Sequence, residues 1–106
     1  MNEITAEQLK DKIERGDRFV FLDVRESFEL HISKLNIPTV LIPLDELADR
    51  HKELSADDEV IVMCRSGNRS GTACKLLEEK GFKKVCNLKG GINDWARKID
   101  TSLPQY

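Results

Sequence analysis

The run Val60-Ile61-Val62-Met63 ends abruptly in Cys64-Arg65-Ser66-Gly67-Asn68-Arg69, and that junction constrains the fold more than anything else in the chain. Four consecutive apolar residues of this type read as a strand buried on both faces, as strands in a parallel sheet are. The polar, glycine-containing stretch behind it can be neither strand nor ordinary helix. Ala73, Leu76 and Leu77 then mark a helix that begins near Ser70 and stops at Gly81. Strand, tight loop and helix in direct succession form the building unit of a parallel α/β fold.

The same alternation runs through the rest of the sequence. Thr5 and Gln8 form a capping box ahead of Leu9 and Ile13, and Gly16 ends that helix. Phe19–Leu22 is a second buried strand, Thr39–Ile42 a third before Pro43, and Val85–Leu88 a fourth. Short helices are expected over 27–32, from Leu44 to about Lys52, and over Ile92–Ile99 around Trp95. The tail from Asp100 to Tyr106 shows no periodicity. We therefore expect an α/β fold: a central, mainly parallel sheet of four to five strands with helices on both faces. The 106 residues suit a single domain spanning 1–106 with one buried core.

Composition removes several function classes. Seventeen basic and nineteen acidic side chains, evenly mixed, give a net charge of −2, which argues against nucleic acid. Residues 1–20 are dense in charge, so no signal peptide is expected there, and no apolar run could cross a bilayer. Cytoplasmic localisation follows as an expectation. The three cysteines contain no Cys-x-x-Cys pair, and His31 and His51 lie far from them, so no metal and no organic cofactor is implied. No apolar stripe calls for a partner subunit, and a monomer is expected.

Chemistry concentrates at Cys64. Ligands of parallel sheets bind beyond the C-terminal strand ends. A tight loop at a helix start turns its N–H groups inward as an anion-binding nest, reinforced by the helix dipole. Arg65 and Arg69 add positive potential. Together these favour a nucleophilic Cys64 thiolate. Burial as a small hydrophobe is the simpler reading for Cys74, inside a helix, and for Cys86, inside a strand. Arg65, Ser66, Gly67, Asn68, Arg69 and Ser70 would make poor core material but a good cradle for an anion.

These residues resemble the rhodanese (sulfurtransferase) family over nearly the whole chain. Phe21-Leu22-Asp23-Val24-Arg25-Glu26 is similar to its N-terminal signature. Cys64 through Ser70 is similar to its active loop, and Asn87-Leu88-Lys89-Gly90-Gly91-Ile92 with Trp95 to its C-terminal signature. Leu30–Lys34 departs from the Gly-His-Ile stretch of many members, and Thr39 stands where glycine is common. Leu41-Ile42-Pro43-Leu44 and the tail are similar to rhodanese domains at the C-terminus of adenylyltransferases of molybdopterin and thiamine biosynthesis.

The resemblance implies a sulfurtransferase with Cys64 as nucleophile and persulfide carrier. The amides from Arg65 to Ser70 would cradle the persulfide, and Arg65 and Arg69 would attract thiosulfate. Ser70 would either donate to the sulfur or cap the helix. The implied partners are a small donor such as thiosulfate and a thiol or sulfur-carrier protein as acceptor. Arg25 and Glu29 have the spacing of a helical ion pair.

Two alternatives stay open. A cysteine phosphatase or arsenate reductase would use the same nest, but with five residues between cysteine and arginine where this chain has four, and usually with histidine at the position of Met63. A non-catalytic binding module of the same fold is the other.

Overall fold

A computed structural model describes residues 2–106. In chain order the elements are β1 (Asn2–Ile4), α1 (Ala6–Glu14), β2 (Val20–Asp23), a 3-10 turn (Ser27–His31), β3 (Val40–Leu41) and α2 (Leu44–Arg50). A second 3-10 turn (His51–Glu53), β4 (Glu59–Met63), α3 (Asn68–Glu79), β5 (Lys84–Leu88) and α4 (Gly91–Lys98) follow. The strands form one sheet in the order β1-β5-β4-β2-β3, every neighbouring pair parallel. The expected α/β architecture is what the chain adopts.

The period of two along a strand divides the core into two layers. From β4, Ile61 and Met63 face the side covered by α1 and α4, where they meet Leu9, Phe21, Leu88, Ile92 and Trp95. Val60 and Val62 face the other side with Leu47, Ala73, Cys74, Leu77 and Val85, beneath α2 and α3. Cys64 continues that alternation, which places it on the α3 side at the C-terminal end of the central strand.

Four local readings change. β1 was not expected from sequence: it adds an edge strand paired to β5, with Ile4 its one buried residue. α3 starts at Asn68 with Gly67 as N-cap, two residues before the expected start near Ser70. Gly67 has φ +105°, which glycine tolerates best, so the turn into the helix closes one residue after Ser66. Residues 27–31 wind as a 3-10 turn rather than an α-helix. Cys86 is half-buried rather than core, because its face of β5 opens into a surface cleft lined also by Lys12 and Glu59. Among the described residues, no helix is long and apolar enough to cross a membrane.

Candidate active site

Cys64 is 1% exposed, and burial alone would suit an inert core thiol. Its polar neighbours point elsewhere. The Gly67 amide donates to Sγ at 3.1 Å, and Ser70 Oγ lies 3.2 Å from the same sulfur. Sγ thus sits at the positive end of α3, whose first-turn amides have no partner within the helix. Among the described residues, Gly67 supplies the one backbone donor to the thiol sulfur itself.

Ser70 lies within the first turn of α3, so its hydroxyl does not cap the helix. It donates to Asn87 Oδ1 and meets Sγ on its other side. A thiol at Cys64 can donate to Ser70 Oγ while Ser70 donates onward to Asn87. A thiolate only accepts, so the hydroxyl proton must turn toward the sulfur.

Asn87 belongs to the Asn87–Ile92 stretch, from which the sequence implies no role for it. It is buried in β5, and its Nδ2 donates to the Gly67 carbonyl oxygen at 3.0 Å. A polar side chain inside the apolar Val85–Leu88 run was the signal that could have found it. Leaving such a group unpaired costs about 1–3 kcal/mol, so its two bonds to the loop hold loop and sheet together.

The loop is held from a second side by α4. Ile92 N–H donates to the Cys64 carbonyl and Asn93 N–H to the Arg65 carbonyl, at 2.9 and 3.1 Å. Gly91, at φ +62°, permits this approach: a Cβ there would lie 2.5 Å from the Cys64 carbonyl oxygen.

Both loop arginines have partners within the protein. Arg69 forms a two-pronged pair with Glu29, Nη1 to Oε2 at 2.7 Å and Nη2 to Oε1 at 2.9 Å. Glu29 also accepts from the Glu26 amide and from the Tyr106 hydroxyl, at 2.8 and 2.9 Å. The Arg69 guanidinium holds its carboxyl far below the ordinary carboxylate value, at about 2. Glu29 in turn raises Arg69. Arg65 donates from Nε to the Tyr106 main-chain oxygen, and its guanidinium lies over the Tyr106 ring, 5.0 Å from the centroid. Ser66 and Asn68 have exposed side chains.

The expected Arg25–Glu29 ion pair does not form. Arg25 is fully buried and forks onto Asp23, with Nη2 to Oδ2 at 2.8 Å, while Nη1 donates to the Ser33 carbonyl and the Tyr106 hydroxyl. A 3-10 turn places residues three apart on one face, so Glu29 folds back onto the Glu26 amide instead of reaching the residue four before it. Tyr106, from the unpatterned tail, thus bridges Arg25 and Glu29 through one hydroxyl.

Of the other thiols, Cys74 is fully buried in α3, and burial pushes it up to about 12. Burial also raises Cys86. Among the described residues, no group of His, Cys, Asp and Glu side chains gathers in the way a metal ion would need.

The rhodanese-like domain model matches residues 5–98. The chain is 37% identical over 98 residues to a protein of Allochromatium vinosum named sulfurtransferase, covering 92% of this chain and 90% of that one. It is 40% identical over 99 residues to YrkF of Bacillus subtilis (strain 168), covering 92% of this chain but only 52% of the relative, so it spans about half that protein. An adenylyltransferase and sulfurtransferase of Zea mays, MOCS3-1, is 33% identical over 110 residues, which are 97% of this chain and 23% of the relative. A rhodanese-related protein from Thermoplasma volcanium has the same fold, with a TM-score of 0.81, 33% identity, and coverage of 98% of this chain and 96% of that one. These likenesses support a role of the rhodanese sulfurtransferase type. On the match of the family model to most of its length, this chain belongs to the rhodanese-like domain family.

Proposed function

We propose that the protein transfers a sulfane sulfur through a persulfide on Cys64. The Cys64 thiolate attacks the outer sulfur of a donor such as thiosulfate or a protein persulfide. A new S–S bond forms on Cys64, and the donor's own S–S bond breaks. Sulfite, or the donor thiolate, leaves with the bonding electron pair. An acceptor thiolate, on a small thiol or a sulfur-carrier protein, then attacks the outer sulfur and restores Cys64. No net oxidant or reductant is needed.

The observation that supports this most is the Gly67 amide aimed at Sγ at 3.1 Å, at the positive end of α3. It stabilises a sulfur anion before and after transfer. Four residues separate Cys64 from Arg69, a cradle that suits one sulfur atom better than a tetrahedral oxyanion. Thiocyanate formation from thiosulfate and cyanide tests the reading. Wild type should turn over and Cys64→Ser should not. Equal turnover by both would refute it.

A further inference from the structure

Thiosulfate carries two negative charges, so a site that captures it needs surplus positive charge. The loop offers Arg65 and Arg69: Arg69 has a carboxylate that cancels its charge, while the exposed Arg65 has a main-chain oxygen and a ring. Arg69 is paired at both terminal nitrogens with the buried Glu29, and a two-pronged pair of this kind is strong and geometrically fixed. Glu29 is itself fixed by the Glu26 amide and the Tyr106 hydroxyl. Arg65 spends its Nε on the Tyr106 main chain and its face on the Tyr106 ring. Arg69 is the chain neighbour of Ser70, whose hydroxyl lies 3.2 Å from Sγ, so whether its charge is cancelled matters at the sulfur. What remains near the sulfur is the Gly67 amide, the positive end of α3 and the charge of the exposed Arg65, which no carboxylate side chain pairs among the described residues. With the Arg69 charge cancelled, that set complements one negative charge better than the two of thiosulfate.

We propose that Glu29 is a specificity-determining residue: by cancelling the Arg69 charge near Cys64, it turns the site from dianionic thiosulfate toward singly charged or neutral persulfide donors. The proposal rests on the sulfur-transfer reading above and names the donor class for it. With a persulfide R–S–SH, the Cys64 thiolate takes the outer sulfur. The donor's S–S bond breaks, R–S⁻ leaves with the electron pair, and the proton passes to solvent.

The test is the ratio of kcat/KM for thiosulfate to kcat/KM for the persulfide of 2-mercaptoethanol, at low ionic strength. It is measured for wild type, Glu29→Gln, Arg69→Ala and the double variant. Freeing the Arg69 charge should raise the ratio about tenfold in Glu29→Gln. Arg69→Ala strands a buried carboxylate and should lower it by a similar factor. The double variant, with neither charge, should return to within about twofold of wild type. A Glu29→Gln ratio at or below wild type would overturn the proposal. So would a double variant that stays at the Arg69→Ala value, since Arg69 would then bind thiosulfate itself.

A second measurement needs neither turnover nor a variant. Protection of Cys64 against iodoacetamide is compared for sulfate and nitrate on the wild-type protein. Sulfate should protect no more than about twofold better than nitrate, and a tenfold advantage would overturn the proposal. If neither donor loads Cys64, the sulfur-transfer reading fails, while the protection assay still decides whether the site favours a dianion.

Discussion

The amide nitrogen of Ile92 lies 2.9 Å from the carbonyl oxygen of Cys64, so the first turn of α4 is fastened to the Cys64 main chain itself. Only a glycine at position 91 allows this. A methyl group there would sit 2.4 Å from the Arg65 carbonyl oxygen, on a backbone that already has φ +62°. Gly91→Ala should destabilise the protein by about 2–4 kcal/mol, combining left-handed strain with displaced loop carbonyls. Urea unfolding reads the loss. A change below about 0.5 kcal/mol would mean that α4 is not docked in this way.

Ser70 stands between Sγ and Asn87, so its hydroxyl is the side-chain donor available to a sulfur anion. A hydrogen bond to a charged group contributes about 1.5–3 kcal/mol. Ser70→Ala should therefore lower kcat/KM for sulfur transfer about tenfold or more while leaving the fold intact. Wild-type kinetics would show that the Gly67 amide alone holds the charge.

Cys74 is sealed within α3 and its thiol is pushed up to about 12. Peptide mapping after iodoacetamide treatment of the native protein at pH 8 should find Cys64 modified and Cys74 untouched until denaturant is added. Cys74→Ser should still accept sulfur. Loss of loading in a folded Cys74→Ser variant would move the chemistry away from Cys64.

Glu29 links the loop to the pH dependence of stability. Its carboxyl is lowered from 4.5 to about 2 by Arg69, so its stabilising effect is complete above about pH 4.5 and fades as the pH falls toward 2. The full effect is on the order of 3 kcal/mol. The stability gap between wild type and Glu29→Gln, from urea titrations, should narrow by about 2 kcal/mol between pH 7 and pH 3. A gap that holds constant would mean that Arg69 does not depress this carboxyl.

The parts of the molecule that could be read from sequence are those written in neighbouring residues. Val60–Met63 announces its burial by composition, and Cys64 to Ser70 announces a turn into a helix. What could not be read is long-range. Arg69 and Glu29 are 40 positions apart, and Tyr106 reaches Arg25 from 81 positions away. No periodicity encodes either contact. The Arg25–Glu29 expectation failed because it assumed α-helical spacing where the chain winds more tightly. β1 escaped notice because three residues with one buried side chain carry no pattern. Asn87 was visible as an anomaly, a polar residue in an apolar strand, but its purpose depends on the loop it supports.

Intact-protein mass spectrometry tests the central claim most directly. Wild type and Cys64→Ser are incubated with thiosulfate and, separately, with the persulfide of 2-mercaptoethanol, then separated from donor without reductant. The account predicts a gain of one sulfur atom on wild type, removed by cyanide, and none on Cys64→Ser. Sulfur on both proteins, or on neither with either donor, would contradict it.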